Sequence, residues 1–377
     1  MKEKRFFIGL VGAVLILALA MPVFAEGSKE RGAAAEWPTR PITVMLGWSA
    51  GGTSDTTARA VAQEMSEYLG VEIKITNMEG ANGGIAYQNV YQAESDGYRW
   101  FGGAQVQATY PITKQARVGW EEFYPFPAGM GATTIYVRTD SGYDDVTDLV
   151  DAIKSGNKVV KYGTTSRGGN GSIFGEVFAQ SAGISDKVQE VPYNGGREAG
   201  RYLLSGDVEY ISVSLGDVSD WAEEGRIKPV LNLYDKDYVW RGVTFPTVNK
   251  YYPELEVYMS INPYWGIAVK RDTPEAVIEK MAEAFVYAVK QDRFKSALES
   301  RGIIVNPKMG DAADEAAAIV GAGRGWAQYD YGIVDVSPAT LGIPRVTEWK
   351  WPYNETSANI RPWPAKAEEL YKTEIAD

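Results

Sequence analysis

The chain has 377 residues, of which 45% are hydrophobic and 23% are charged, a balance typical of globular proteins long enough for two domains. It contains neither cysteine nor histidine, which excludes disulfides, thiolate metal sites, the usual zinc sites and Ser-His-Asp or Cys-His nucleophiles. The formal net charge of −11 disfavours nucleic acid as a partner. We therefore expect no metal, no cofactor and no nucleic-acid partner.

The N-terminus has the three parts of a secretory signal peptide. Basic residues at 2–5 precede the apolar run 6–21, and compact residues at 22–25 suit cleavage after Ala25. An uncleaved membrane anchor is the alternative, although the apolar run is short for a membrane-spanning helix. We expect an exported, periplasmic protein in which a small and charged leader, 26–36, precedes the folded part.

From residue 42 onward, strand-like apolar runs alternate with helix-like ones. The predicted strands are 42–46, 71–76, 98–103, 134–138, 158–164, 208–214 and 228–233. The predicted helices are 54–69, 147–155, 172–182, 197–205 and 272–302, the last with Thr273 as N-cap and Gly302 beyond its end. Such alternation predicts α/β domains in which helices connect the strands of parallel sheets.

Two glycine-rich junctions each connect a predicted strand to a predicted helix. The first is WSAGGTSD at 48–55, and the second is YGTTSRGGNGSIFGEVF at 162–178. Free backbone N–H groups at a helix N-terminus attract negative charge, so two such loops that face each other would hold a small anion between domains. Each loop alone is also compatible with a tight turn, and neither completes a nucleotide phosphate-binding motif.

Five ordered segments resemble the substrate-binding proteins of tripartite tricarboxylate transporters, also called Bug receptors. The segments are WPTRPITVMLGWSAGGTSDTTAR (37–59), NMEGANGGIAYQNVYQAESDGYRW (77–100), VPYNGGREAGRYLLSGDVEYISVSL (191–215), TFPTV (244–248) and YWGIAVKRDTPEAVIEKM (264–281). The resemblance covers about 37–305 and weakens towards 343. It implies an α/β type II periplasmic-binding-protein fold, in which two parallel-type α/β domains enclose an interdomain ligand cleft.

The resemblance also implies how the chain is divided. Domain 1 would combine 37–136 with 258–343, domain 2 would span 137–257, and 344–377 would form a C-terminal extension. Hinge bending near 134–138 and 256–265 would open and close the cleft. The extension is rich in Trp, Pro and charge, and a strap across a domain surface is the preferred interpretation over a sugar-stacking role.

In the family, a small carboxylate lies between the first strand-helix loop and its counterpart in the second domain, partly through ordered waters. Transferred by position, the implied ligand-binding residues are Trp48, Ser49, Gly51, Gly52, Thr53, Asp55, Gly103, Ala104, Gln105, Thr164, Thr165, Ser166, Asn170, Gly171, Ser172, Tyr193, Asn194, Gly195 and Ser214. The chain departs from the family pattern at Gly47-Trp48, where Pro-Phe is common, and at Val213, where Asp is frequent. These departures leave the identity of the ligand open.

Asp55 has two interpretations. In the first turn of a helix its carboxylate would accept hydrogen bonds from free backbone N–H groups and complement the helix dipole. Alternatively, it would accept a hydrogen bond from a ligand hydroxyl, ammonium or bridging water, because an ionised carboxylate repels a bare carboxylate. The resemblance favours the second role, since the family places this Asp at the mouth of the pocket.

The expected function is therefore that of a receptor and not of an enzyme. It would capture a small organic acid and deliver it, as a monomer, to the integral membrane subunits of a tripartite tricarboxylate-type transporter. One alternative is a binding protein of the same fold that serves a sensor kinase or chemoreceptor. Another is an exported hydrolase with paired carboxylates, for which the 49 acidic residues show no recognisable spacing.

Overall fold

The structure, a computed structural model, describes residues 37–105 and 107–376. The signal peptide and leader predicted at 1–36 lie outside the described residues. Contacts divide the chain into the units Met1–Thr39 and Arg40–Asp377, and every element described below lies in the second unit. Within the described ranges, no helix combines the length and the apolar character needed to cross a membrane.

The described residues form strands and helices that alternate along most of the chain. The strands are β1 (Ile42–Leu46), β2 (Ile73–Asn77), β3 (Arg99–Ala104), β4 (Phe123–Met130), β5 (Thr133–Arg138), β6 (Val160–Thr165), β7 (Val188–Tyr193), β8 (Tyr210–Ser214), β9 (Ile227–Asn232), β10 (Tyr238–Trp240), β11 (Val243–Phe245), β12 (Tyr264–Lys270) and β13 (Ile304–Val305). The helices are α1 (Thr53–Leu69), α2 (Gly84–Tyr91), α3 (Tyr110–Thr113), α4 (Val146–Ser155), α5 (Asn170–Ser181), α6 (Gly196–Ser205), α7 (Leu215–Glu223), α8 (Glu275–Lys290), α9 (Asp292–Glu299), α10 (Asp311–Asp330), α11 (Glu355–Ala358) and α12 (Ala365–Glu374).

Eleven of the thirteen strands that the described residues form belong to two mixed sheets. The first has the order β13-β4-β12-β3-β1-β2, and the second has the order β7-β6-β8-β5-β9. In the first, β12 runs antiparallel to β3 and β4; in the second, β5 runs antiparallel to β8 and β9. The expectation of parallel sheets is therefore correct only for β1–β3 and for β6–β8. We call the first sheet with its packed helices the first lobe, and the second sheet with its packed helices the second lobe.

In helix α1, the predicted apolar pattern determines which face of the helix is buried. Its apolar side chains Ala58, Val61, Ala62 and Met65 are all buried and form one stripe on the helix. Gly70, whose φ of 70° is left-handed, ends the helix and donates its N–H to Ser66 O. Because the helix packs along the first sheet, its N-terminus lies at the carboxyl end of β1, where the first glycine-rich loop connects them.

The predicted helix 272–302 is wrong as a single helix. Gln291 has extended backbone angles, φ −70° and ψ 135°, between α8 and α9. Its side-chain amide donates to Tyr287 O at 2.9 Å, which satisfies a carbonyl at the end of α8. The break lets Phe294 of α9 become fully buried. At the other end Pro274, and not Thr273, is the residue that precedes the first turn.

The C-terminal extension packs against the first lobe. Trp363 Nε1 donates to Asp314 Oδ2 at 3.0 Å, and Tyr124 OH donates to Pro362 O at 2.9 Å. Lys366 of α12 forms an ion pair with Glu283 of α8. These contacts are those of a strap across a domain surface, the interpretation that the sequence favours.

Candidate functional site

A cavity lies between the two lobes, at the carboxyl ends of β1, β3, β6 and β8. Its empty volume, which includes open solvent at the mouth, is about 480 Å³. The predicted site residues that line it are Trp48, Ser49, Gly52, Thr53, Ala104, Thr165, Asn170, Gly171, Gly195 and Ser214. Both glycine-rich loops therefore meet at one cavity.

Some predicted residues do not line this cavity, and some lining residues escaped prediction. Predicted residues outside the lining are Gly51, Asp55, Gly103, Gln105, Thr164, Ser166, Ser172, Tyr193 and Asn194. Lining residues absent from the prediction are Ser54, Asn82, Gly169, Gly196, Val213, Asp217 and Trp265. The cavity is thus formed by the expected loops, while the individual contacts differ.

Several predicted residues outside the lining hold the loops in place. Ser172 Oγ accepts a hydrogen bond from Gly168 N at 3.0 Å, which closes the loop before α5. Thr164 Oγ1 donates to Glu190 Oε1 at 2.6 Å. Asn194 O accepts from Ser49 N at 3.2 Å and so connects the second lobe to the first. These residues therefore position the loops that form the cavity, although they do not line it themselves.

Three helices start at the cavity with glycine as the N-cap. Gly52 precedes α1, Gly169 precedes α5 and Gly195 precedes α6, and glycine has no side chain with which to cap the helix. The first N–H groups of a helix have no acceptor within the helix, and they carry partial positive charge. Because glycine has no side chain, a carboxylate of a ligand or of another part of the chain can approach these N–H groups directly.

A fourth helix at the cavity, α7, is capped by its own residues. Ser214 and Asp217 form a capping box, in which Ser214 N donates to Asp217 Oδ2 at 3.3 Å. Asp217 Oδ1 also accepts hydrogen bonds from Thr53 N at 2.8 Å and Thr53 Oγ1 at 3.0 Å, across the cleft. Burial raises the pKa of Asp217, and the hydrogen bonds from Thr53 and Ser214 oppose this rise. Asp217 therefore joins the two lobes.

Two lining side chains have buried polar atoms without a hydrogen-bond partner. These atoms are Ser49 Oγ in the first lobe and Asn170 Oδ1 in the second. An unsatisfied buried polar atom is costly, so it is rare in native proteins and needs an explanation. A ligand carboxylate could accept a hydrogen bond from Ser49 Oγ, whereas Asn170 Oδ1 is an acceptor and needs a donor, such as a ligand hydroxyl or a water.

Two tryptophans form apolar walls of the cavity. Trp48 and Trp265 are only 4% and 3% exposed. The Trp48 ring lies against the backbone of Gly103, where an added Cβ would be 2.1 Å from a ring carbon. Trp48 also makes an edge-on contact with Phe101, at a centroid distance of 6.1 Å. The tryptophan at position 48 therefore forms the wall of the cavity next to β3.

Asp55 lies beside this cavity but does not line it. Its Oδ2 accepts hydrogen bonds from Gly51 N at 3.0 Å and from Arg59 Nε at 2.9 Å, and Asn77 Nδ2 donates to Oδ1 at 3.3 Å. Burial opposes ionisation of Asp55, but these hydrogen bonds outweigh it and lower the pKa of the carboxyl group. The geometry favours the structural interpretation of Asp55 over direct ligand contact.

Further contacts across the cleft show a closed arrangement. Asn82 Nδ2 donates to Gly168 O at 3.2 Å, and Gln115 Nε2 donates to Arg167 O at 2.8 Å. Arg301 Nη2 donates to Gly216 O at 2.8 Å. These bonds connect the first lobe to the loop before α5 and to the start of α7 in the second lobe.

The most informative residue that the sequence analysis missed is Asp217. Ser214 and Asp217 match the S-x-x-D pattern of a capping box, which indicates a helix start but not a contact with another lobe. Trp265 lies in the segment YWGIAV, which carries the family resemblance, but nothing in its spacing marks it as a wall of the cavity. Among the residues that the structure describes, no cluster of acidic side chains is arranged to hold a metal ion.

Comparisons with known proteins agree with this architecture. The family model described as tripartite tricarboxylate transporter family receptor matches residues 57–321. A UPF0065 protein of the TAR-I ttuE-ttuC' intergenic region of Agrobacterium vitis is 28% identical over 314 residues, which cover 81% of this chain and 85% of that protein.

Solved structures of similar fold extend the comparison. The periplasmic binding protein BugD superposes with a TM-score of 0.72 at 21% identity, over 79% of this chain and 99% of BugD. An R. palustris protein solved with adipate gives a TM-score of 0.70 at 22% identity, over 79% of this chain and 99% of that protein. The predicted fold, that of a two-domain periplasmic binding protein, is confirmed. The chain belongs to the tripartite tricarboxylate transporter receptor family.

Proposed function

We propose that this chain is an exported receptor that captures a small organic carboxylate in the cavity between its lobes and delivers it to a tripartite membrane transporter. The observation that carries the proposal is the meeting of three glycine-capped helix N-termini, those of α1, α5 and α6, at one cavity. Such N-termini stabilise negative charge without any cationic side chain. The adipate that a neighbour of similar fold holds is a ligand of the same chemical class.

The lining supports binding without chemical conversion of the ligand. Glycosidase-type hydrolysis requires two carboxyl groups with distinct roles on opposite sides of the scissile bond. Among the described residues that line the cavity, only Asp217 has an ionisable side chain. The family is one of solute-binding receptors, and we propose that this chain likewise releases its ligand unchanged.

The finer features of the proposal come from the sequence. We propose cleavage of the signal peptide after Ala25 and two domains, with hinge bending in the connections between β4 and β5 and before β12. The boundary expected at 136/137 would divide β5, which belongs entirely to the second sheet. The site residues are those predicted residues that line the cavity. Delivery to integral membrane subunits and a monomeric state complete the proposal.

A thermal-shift series with matched ligands tests this function. At a ligand concentration a hundredfold above Kd, binding stabilises the folded state by about 2.7 kcal/mol, which gives a clear shift of the melting temperature. Mono-, di- and tricarboxylates of three to six carbons would be compared with their uncharged amides. We expect at least one acid to stabilise the protein and its amide to have no effect. Stabilisation by amides or neutral sugars, but by no acid, would contradict the proposal.

A further inference from the structure

Asp217 holds an unusual place in a cavity proposed to bind an anion. It is only 6% exposed, and it is the one ionisable side chain among the described residues that line the cavity. Its Oδ1 accepts two hydrogen bonds from Thr53, which is the first residue of α1. A carboxylate oxygen of a ligand would form the same bonds if it bound at this N-terminus. The protein's own carboxylate therefore occupies the N-terminus of α1.

The carboxylate of Asp217 also lies against two glycines at these helix starts. A Cβ added to Gly52 would be 2.9 Å from Asp217 Oδ1, and one added to Gly196 would be 2.1 Å from Asp217 Oδ2. Asp217 thus fills the space where α1 and α6 approach each other. A second anionic group in this part of the cavity would lie next to a buried negative charge.

The other helix starts differ in the charge that they already carry. The first turns of α1, α6 and α7 contain Asp55, Glu198 and Asp217, respectively. Asp55 accepts from Gly51 N at 3.0 Å, and Glu198 Oε2 accepts from Asn194 N at 3.1 Å. The first turn of α5 contains no acidic residue. Of these four helices, only α5 has no carboxylate at its N-terminal end, which carries partial positive charge.

Asn170 marks the same place. It is the first residue of α5 and lines the cavity, and its Oδ1 is a buried acceptor without a partner. A water or a ligand donor would satisfy this oxygen, while a ligand carboxylate would accept from the backbone N–H groups beside it. Gly169 and Gly171 on either side also line the cavity and leave the backbone accessible. One ligand carboxylate at α5 would meet free N–H groups, whereas a second one towards α1 would meet Asp217.

We propose that Asp217 determines specificity, so that this receptor binds acids with a single carboxylate at the N-terminus of α5 and rejects dicarboxylates. Like charges in a partly desolvated cavity repel each other strongly, which disfavours a second carboxylate. An ionised carboxylate can accept about four hydrogen bonds, so Asp217 retains acceptor capacity for a ligand hydroxyl. The preferred ligand is a monocarboxylate with a hydrogen-bond donor at its other end. This inference rests on the proposed function.

Calorimetry with matched acids tests the inference. The probes are pairs of equal carbon number from three to six, such as 6-hydroxyhexanoate against adipate. For the parent protein we expect the best hydroxy acid to bind at least tenfold more tightly than the dicarboxylate of the same length. In the Asp217→Asn variant we expect this ratio to fall at least tenfold, because the amide keeps the size of the side chain and removes its charge.

Asp220→Asn is the matched control. Asp220 lies on the same helix, does not line the cavity and forms an ion pair with Arg197, so its loss changes the net charge equally. The control should leave the ratio unchanged. If Asp217→Asn fails to fold, Asp217→Ser replaces it, because serine also caps helix N-termini.

The outcomes separate the inference from the function on which it rests. A parent protein that binds the dicarboxylate at least as tightly as the hydroxy acid overturns the inference, whatever the variants do. An unchanged ratio in the folded Asp217 variant overturns it as well. If neither the parent nor the variants bind any of the acids, the proposed function itself fails.

Discussion

Gly216 and Thr53 approach each other across the cleft so closely that no side chain fits between them. A methyl group at position 216 would lie 2.7 Å from Thr53 Oγ1 and 2.9 Å from Ile303 Cγ1. Thr53 and Ile303 are buried, so neither can easily move away. Thr53 lines the cavity, whereas Gly216 forms part of the closed interface without lining it.

Gly216→Ala should therefore impede closure and leave the ligand contacts intact. Alanine favours a helix over glycine by about 1 kcal/mol, so the second lobe should fold normally. We expect Kd for the bound acid to rise about tenfold, a loss of about 1.4 kcal/mol. Solution scattering should show no decrease in the radius of gyration at saturating ligand. Glu224→Ala, exposed at the end of the same helix, is the control and should close as the parent does.

Ser49→Ala tests whether the unpartnered hydroxyl binds the ligand. Ser219 is a matched control, because its Oγ is also buried without a partner but does not line the cavity. Neither substitution removes a hydrogen bond of the ligand-free protein, so both should change the free energy of unfolding by less than about 1 kcal/mol. We expect Ser49→Ala alone to weaken binding, by about tenfold in calorimetry. Equal affinities of the two variants would show that Ser49 does not contact the ligand.

Asp55→Asn distinguishes the two roles of this residue. Since its carboxylate is occupied by Gly51, Arg59 and Asn77, we expect affinity to stay within threefold of the parent. The free energy of unfolding should fall by about 1 kcal/mol, because the helix dipole and Arg59 lose a negative partner. The folded-state pKa of Asp55 is lowered, so this stabilisation is present above the usual pKa of 3.8 and disappears as the pH falls below it. A tenfold loss of affinity in calorimetry would return Asp55 to the ligand site.

The attachment of α12 should weaken in acid. Burial opposes ionisation of Glu283, but hydrogen bonds from Lys366, Lys280 and Tyr68 lower its pKa from 4.5 to about 2. A lowered folded-state pKa stabilises the protein fully above pH 4.5, and this contribution is lost as the pH falls towards 2. The protection of α12 from hydrogen exchange, relative to the intrinsic exchange rate at each pH, should therefore decrease over this range.

Lys366→Met should make that decrease in protection smaller, because the variant has already lost one partner of Glu283 at neutral pH. Lys372→Met, exposed on the same helix, serves as the control and should behave like the parent. Identical exchange profiles for the parent and Lys366→Met between pH 4.5 and 2 would show that this ion pair does not hold α12.

The mature N-terminus provides a separate check on export. Intact mass spectrometry of protein recovered from the envelope fraction should give a chain that begins at Glu26. A mass that retains Met1 would instead indicate the uncleaved anchor.

The parts of the fold that the sequence revealed are those governed by local patterns. Helices predicted at 54–69 and 147–155 are confirmed to within one residue, because apolar periodicity and neighbouring glycines mark them. Strand β4 escaped prediction because FYPFPAGM contains Pro125 and Pro127, and proline argues against an inner strand. Proline has no N–H group to donate to a neighbouring strand. The neighbouring strand β13 pairs only with Gly129 and Met130, so on that side the sheet needs no N–H group from either proline.

The site was predictable as a pair of loops but not as a set of contacts. Glycine at a strand-helix junction is a local signal, and both junctions do meet at the cavity. The bond between Asp217 and Thr53 joins residues 164 positions apart, and no local pattern reports such a contact. The same limit applies to Asn82, which lines the cavity from the 3-10 turn Ala81–Gly83 beyond β2.

The hydrogen bond from Gln115 to the backbone of Arg167 also identifies two positions at which spin labels would measure how far the cleft opens. These two residues lie in different lobes and are joined at 2.8 Å at the rim of the cavity. Because the natural chain has no cysteine, Gln115→Cys and Arg167→Cys would introduce the only two thiols in the molecule. Spin labels attached to them would report the separation of the lobes as a distance distribution, without removal of any native thiol.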